Sequence, residues 1–231
     1  MRRAGGYARM GQPPSQPKPM TDDLNAAAEP EAPAQSPARK RPRPGERRVQ
    51  ILQMLASMLE QPGAERVTTA ALAGKLDVSE AALYRHFASK AQMFEGLIEF
   101  IEQSVFTLVN QITEREGGGV LQGQKIVSVL LQFGERNPGM TRVMVGDALV
   151  GENERLVARM NQFFDRIESS LRQVLKSAAE GRGSATPTVE ANAQASVLVS
   201  FIIGRLQRYA RSGFKRSPTE QLDAALRMLL R

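Results

Sequence analysis

The chain has no cysteine and a single histidine, His86. The first absence excludes disulfides, thiolate zinc sites, iron–sulfur clusters and cysteine nucleophiles. The second excludes a metal site built on several histidines, and any Ser-His-Asp triad would have to use His86. Long apolar runs are also missing. The longest, from Val197 to Ile203, is interrupted by Ser200 and ends at Gly204-Arg205, far short of the roughly 20 residues a membrane span requires. Arg2 and Arg3 are followed by no apolar region, so the start does not read as a secretory signal. Gly117-Gly118-Gly119 lacks the Lys-Ser/Thr that would make it a phosphate-binding loop. No nucleophile is paired with a base, so nothing points to an enzyme or a cofactor.

What is present is enough apolar material for a core, 42% of 231 residues, and an excess of cations giving a formal charge of +7. A basic balance favours polyanionic partners but does not choose among nucleic acid, an anionic membrane surface and an acidic protein. The chain is compatible with a reducing cytoplasm.

Residues 1–45 are rich in Pro, Ala, Gly, Gln and Ser and almost devoid of large apolar side chains. Such a segment cannot offset its ordering entropy and is expected to be a disordered extension. It ends in a basic run, Arg39, Lys40, Arg41 and Arg43, followed by Arg47 and Arg48. That arm would suit a phosphate backbone or a minor groove, and equally a solvated surface. Met10 and Met20 are alternative starts. From Glu46 on, helical periodicity takes over: Val49, Ile51, Leu52, Leu55, Met58 and Leu59, stopped by Pro62-Gly63. A long helix beginning at Ser89 carries Phe94, Leu97, Ile98, Ile101, Val105, Leu108, Val109 and Ile112 as one stripe. Further helices are expected over about 120–136, 140–149, 153–179, 189–211 and 218–230. No β-alternation of useful length occurs, so the fold class is all-α.

The most informative segment is residues 67–90, VTTAALAGKLDVSEAALYRHFASK. Thr68 or Thr69 caps one short helix, Asp77 marks a turn, and Ser79 caps a second. Ala73 and Ala82 allow close helix contact. The second helix offers Ser79, Ala81, Tyr84, Arg85 and His86 around a thin apolar seam, as a recognition helix in a major groove does. Lys90 and the N-caps would suit phosphates. The plainer alternative is a helical hairpin with a polar outer face. His86, without a second histidine, suits a phosphate or structural hydrogen bond better than chemistry.

These residues resemble the TetR family of bacterial repressors. Thr68-Thr69, Leu72-Ala73, Val78-Ser79, Leu83-Tyr84, His86-Phe87 and Ser89-Lys90 stand where that family has its helix-turn-helix signature, with Asp77 where many members have Gly. The resemblance implies a DNA-binding domain at residues 46–90 and a helical dimerisation and partner-binding domain at 91–231. It implies DNA contacts by Arg47, Thr68, Thr69, Ser79, Ala81, Tyr84, Arg85, His86 and Lys90. Residues 79–104, 133–149, 161–175 and 200–226 narrow it to the nucleoid-occlusion branch of the family, covering about residues 46–231. Members of that branch are cytoplasmic, nucleoid-associated homodimers on palindromic double-stranded DNA, with more than one dimer per site in prospect. Bound there, they hold the C-terminal tail of the tubulin-like division protein FtsZ between the fourth and fifth helices. By position, that groove would comprise Phe100, Val129, Gln132, Arg136, Asn137 and Met140. Leu108 replaces the family's arginine, and Gln132 replaces its glycine.

Phe100 also stands out on its own, because in helical projection it points about 100° away from Ile101 and about 160° away from Ile98, its apolar neighbours, and must pack elsewhere. The alternatives are a peptide groove or the first or third helix. Arg136 and Asn137, before the break at Pro138, suit a peptide backbone or carboxylate. For dimerisation, Val197, Val199, Phe201, Ile202 and Leu206 with Leu222, Leu226, Leu229 and Leu230 offer more apolar surface than one layer buries, and Gly204 permits close backbones. The competing function is a ligand-gated repressor, whose pocket Phe133, Met144, Phe163 and Ile167 would line unless they are plain core.

Overall fold

A computed structural model describes residues 45–61, 67–115 and 117–230. The expected extension with Arg39, Lys40, Arg41 and Arg43, and the stop at Pro62-Gly63, lie outside the described residues. Those described form helices and turns with no strand, as an all-α reading requires.

Helix α1 (Glu46–Leu59) buries Ile51, Leu55, Ala56 and Leu59, one face at helical spacing. Helix α2 (Thr69–Leu76) starts at Thr68, whose side chain accepts the Ala71 N–H at 3.1 Å. It ends at Asp77, which is left-handed at φ 54. That geometry favours glycine, and aspartate is among the few other residues that adopt it readily. Helix α3 (Glu80–Tyr84) is capped by Ser79, which accepts the Ala82 N–H at 3.2 Å. Two reciprocal bonds open helix α4 (Lys90–Arg115): Gln92 N–H to Ser89 Oγ, and Ala88 N–H to Gln92 Oε1. This is a variant of the capping box.

Helix α5 (Gly119–Arg136) runs back antiparallel to α4, and Gln122 Nε2 donates to the Thr113 carbonyl at 3.1 Å. Asn137 then closes α5 and Pro138 opens α6 (Pro138–Met144). The helix expected over 140–149 is broken, because Gly146 adopts φ 84 and a 3-10 turn, Asp147–Leu149, follows. Helices α7 (Glu154–Gly181) and α8 (Pro187–Arg211) form the longest antiparallel pair. The closing helix, α9 (Leu222–Leu229), begins four residues later than expected. Gln221 is left-handed at φ 52, and the hydroxyls of Ser217 and Thr219 are drawn onto the Glu135 carboxylate at the end of α5.

One hydrophobic core runs continuously from Ile51 to Leu230. Helix α7 is fastened to α4 by Arg155–Glu95 and Arg159–Glu102 ion pairs at 2.7 and 2.6 Å. Two glycines mark where backbones nearly touch. A Cβ on Gly139 would lie 2.0 Å from the Ala56 carbonyl, so α6 sits directly on α1. A Cβ on Gly119 would lie 1.9 Å from the Val174 carbonyl, on α7. Among the described residues no helix is long and apolar enough to cross a membrane.

The α4 stripe departs from expectation at one position. Leu108 is 42% exposed, while Val105 and Val109 take the core contacts. By that turn α4 is covered on the Val105–Val109 side only, so Leu108 joins Phe100 at the surface.

Candidate nucleic-acid interface and partner face

The helix-turn-helix is held rigid by its own polar side chains. The hydroxyls of Thr68 and Ser79 are spent on capping. Thr69 donates to Glu80, tying α2 to α3. Arg47 reaches Gln50 at 3.0 Å. What remains free on α3 is the surface of Ala81, Tyr84 and Arg85, with Tyr84 44% exposed. Leu83 and Phe87 beneath them are buried. An alanine, a phenol and a guanidinium on a short, well-capped helix are what a major groove admits. His86 is half-buried beside them.

Two basic residues behave differently from their sequence reading. Lys90, expected at a phosphate, is half-buried, bonded to the Glu152 carboxylate, and lies 5.7 Å from the Phe94 ring centre. The turn after Gly146 brings Glu152 against the start of α4, a juxtaposition no local pattern reveals. Arg48, read only as part of a basic run, is a structural clamp. Its guanidinium covers the Phe87 ring at 4.2 Å and donates to the His86 carbonyl. It thereby fixes the end of the recognition helix to α1. Its signal spans 38 positions of sequence, so only the fold exposes it.

The residues expected to form a partner face lie on α4, on α5 and at the start of α6. Gln122 marks the side of α5 turned toward α4. Val129 and Arg136 lie seven and fourteen residues on, two and four turns along nearly the same line. Phe100 is 48% exposed. With antiparallel register counted from the Thr113–Gln122 bond, Phe100 comes level with the last turn of α5. Gln132 and Arg136 are exposed, and Val129 and Met140 are half-buried. Asn137 is partly committed: its Nδ2 donates to the Phe133 carbonyl at 2.8 Å, closing the helix. Glu135, one residue before Arg136 and about 100° round the helix from it, faces the loop after α8.

Comparison with known proteins then decides the family. Residues 51–97 match the bacterial regulatory proteins of the tetR family, and residues 119–231 match the tetracyclin repressor-like C-terminal domain of SlmA-like proteins. The nucleoid occlusion factor SlmA of Idiomarina loihiensis is 51% identical over 178 residues, 77% of this chain and 90% of that protein. The SlmA of Aliivibrio fischeri is 51% identical over 183 residues, covering 79% and 93%. The chain belongs to the SlmA family of TetR-type proteins. This is a family of DNA-binding, dimeric regulators rather than of enzymes.

Solved structures confirm the fold alone. Bacillus subtilis FadR, crystallised with stearoyl-CoA, superposes with a TM-score of 0.63 at 12% identity, covering 79% of this chain and 97% of that one. Thermus thermophilus PfmR gives 0.61 at 20% identity, covering 78% and 97%.

The expected dimer surface divides in two. Val197 is 51% exposed, Phe201 is half-buried with the Arg205 guanidinium 4.9 Å over its ring, and Gly204 is open to solvent. Ile202 and Leu226, however, lie inside the protomer at 0% and 3% exposure. Val199, Leu206, Leu222 and Leu230 are buried with them. The reason is that α9 folds back on its own protomer: Leu230 reaches the surface of α5 at Gly123, so one layer does bury most of that apolar surface.

Proposed function

We propose that this chain is a nucleoid occlusion factor, acting in the cytoplasm on the nucleoid. As a dimer it binds palindromic chromosomal sites, with more than one dimer per site. While bound it takes the FtsZ C-terminal tail on its α4–α5 face and antagonises division-ring assembly there. Residues 46–90 read DNA through Ala81, Tyr84 and Arg85, with Arg47, Thr68, Thr69, Ser79 and His86 supporting them. Residues 91–231 dimerise and hold the partner. The dimer forms on the open stripe of α8 around Val197, Phe201 and Gly204.

The observation that carries the partner assignment is the solvent-exposed phenylalanine of α4. A ring left half in water is apolar surface that gains by being covered. Phe100, Val129, Gln132, Arg136 and Met140 form it, and Asn137 shapes its end. The ligand-gated alternative gains nothing from its candidate pocket residues. Met144, Phe163 and Ile167 are buried core, and Phe163 sits edge-on between Phe106 and Phe164 at 5.5 and 5.1 Å.

Fluorescence anisotropy with a labelled FtsZ tail peptide tests the reading. Phe100→Ala and Arg136→Ala should each lose tail binding while operator affinity and sedimentation as a dimer persist. Wild-type affinity in both variants would move the groove elsewhere. A wild-type protein that never binds the tail, but is thermally stabilised by a small metabolite, would put the ligand-gated repressor ahead.

A further inference from the structure

Several cations of the described structure are paired with acids: Lys90 with Glu152, Arg155 with Glu95, Arg159 with Glu102, Lys176 with Glu180 and Arg182 with Glu190. The end of α8 and the turn after it concentrate cations that are not. Arg208, Arg211, Lys215 and Arg216 are all exposed, fall within nine residues of chain, and have no acidic partner among the described residues. Four like charges so close repel one another.

The segment that carries them is nevertheless rigidly built. The Ser212 hydroxyl accepts the N–H groups of Lys215 and Arg216 at 3.1 and 2.9 Å. Phe214 is held left-handed at φ 63, with its ring against Tyr209 at 5.1 Å and under the Arg142 guanidinium at 5.4 Å. The buried Nε of Arg142 has no hydrogen-bond partner. The Glu135 carboxylate at this corner is occupied by Ser217 and Thr219.

The corner adjoins the partner face. The Tyr209 hydroxyl donates to the Glu135 carbonyl at 3.0 Å, and Arg136 is the next residue of α5. It is also remote from the recognition helix. Gly139 meets α1 at Ala56, whereas α3 is clamped to α1 at Arg48. Along α1 those two contacts are eight residues apart, about 12 Å at 1.5 Å per residue.

We infer that Arg208, Arg211, Lys215 and Arg216 form an anionic-peptide docking surface that receives the carboxylates of the same tail whose apolar part covers Phe100. This rests on the partner reading above. A C-terminal tail carries at least its terminal carboxylate, and an ordered cationic loop beside the groove gives it a fixed counter-charge. Such rim charges act mainly on association rate and salt dependence.

The test compares Arg208→Ala/Arg211→Ala and Lys215→Ala/Arg216→Ala with wild type, using the full-length dimer and two tail peptides, one with native carboxylates and one with all of them converted to amides. Each double variant should bind the native peptide roughly fivefold more weakly at low salt, with the difference shrinking at high salt. The amidated peptide should bind wild type and both variants equally, while Phe100→Ala should lose both peptides. Unchanged thermal midpoints will show that the fold is intact. Equal binding of the native peptide by wild type and variants overturns the docking surface but leaves the groove standing. Loss of operator affinity in place of peptide affinity makes the patch a DNA contact and overturns it too. If wild type binds neither peptide, groove and docking surface fall together.

Discussion

At the scale of single residues, the fold uses several basic and small side chains for construction that their types would assign to binding or to nothing. Lys90 is the clearest case. Because its ammonium already has the Glu152 carboxylate, Lys90→Ala should lower thermal stability slightly and leave the salt dependence of operator binding unchanged. Arg85→Ala should reduce the slope of log affinity against log salt by about one, as expected for one lost phosphate contact. Equal slopes in the two variants would put Lys90 back on the DNA. Gly139 carries a different constraint. A methyl group there would meet the Ala56 carbonyl, so Gly139→Ala must push α6 off α1. It should cost about 1–3 kcal/mol and lower the melting midpoint by roughly 2–4 °C per kcal/mol. Tyr209 makes a pH prediction. Burial, then the nearby charges of Glu135 and Glu60, raise its phenol above the ordinary value of 10.0. A group raised on folding contributes stability that is complete below its unfolded value and disappears as pH climbs through the folded one. Denaturant unfolding should therefore show an alkaline loss above about pH 10 that Tyr209→Phe partly removes, while the variant sacrifices about 1 kcal/mol at neutral pH for the missing bond to the Glu135 carbonyl.

At the scale of elements, exposure separates residues of one helix that hydrophobicity groups together. On α8, Val197 and Ile202 are both β-branched and five positions apart, yet one faces water and the other the core. Val197→Glu should leave a folded protomer that sediments as a monomer, since it places a charge on the open stripe. Ile202→Ala should cost about 2–5 kcal/mol in protomer stability through the cavity it leaves. If the two variants behave alike, the dimer surface lies elsewhere. The element pattern was largely legible: the caps at Thr68, Ser79 and Ser89 and the breaks at Pro138 and Ser212-Gly213 follow from local chemistry. The start of α9 was not, because Ser217 and Thr219 are taken up by Glu135, more than 80 residues earlier in the chain.

At the scale of the whole molecule, a two-fold dimer is expected to present two copies of α3 to one side of the duplex, spaced about 34–36 Å or somewhat more. Mapping bound sites across the genome should find palindromes scattered over the chromosome and sparse near the terminus. A single site beside the protein's own gene would instead mark a local repressor. The exposed cations at the α8 end contribute to the long-range field that the net charge of +7 announces, but they are concentrated at one corner.

The sequence by itself determined the helices, their caps, the helix-turn-helix and the unusual aromatic of α4. These depend on periodicity, on hydroxyls next to helix starts and on left-handed turns, all of which act over a few residues. The segment at 67–90 therefore carried its own reading, and Phe100 was visible as a ring off its stripe. The tertiary structure alone decided which charged groups are spent and which are available. Lys90 is neutralised by Glu152, Arg48 is a clamp, and Leu108 is exposed while Ile202 and Leu226 are not. Each of those outcomes depends on a neighbour tens of residues away. Charge pairing and burial are set by distances in space, and a chain's local pattern holds no record of which distant side chain will arrive within reach.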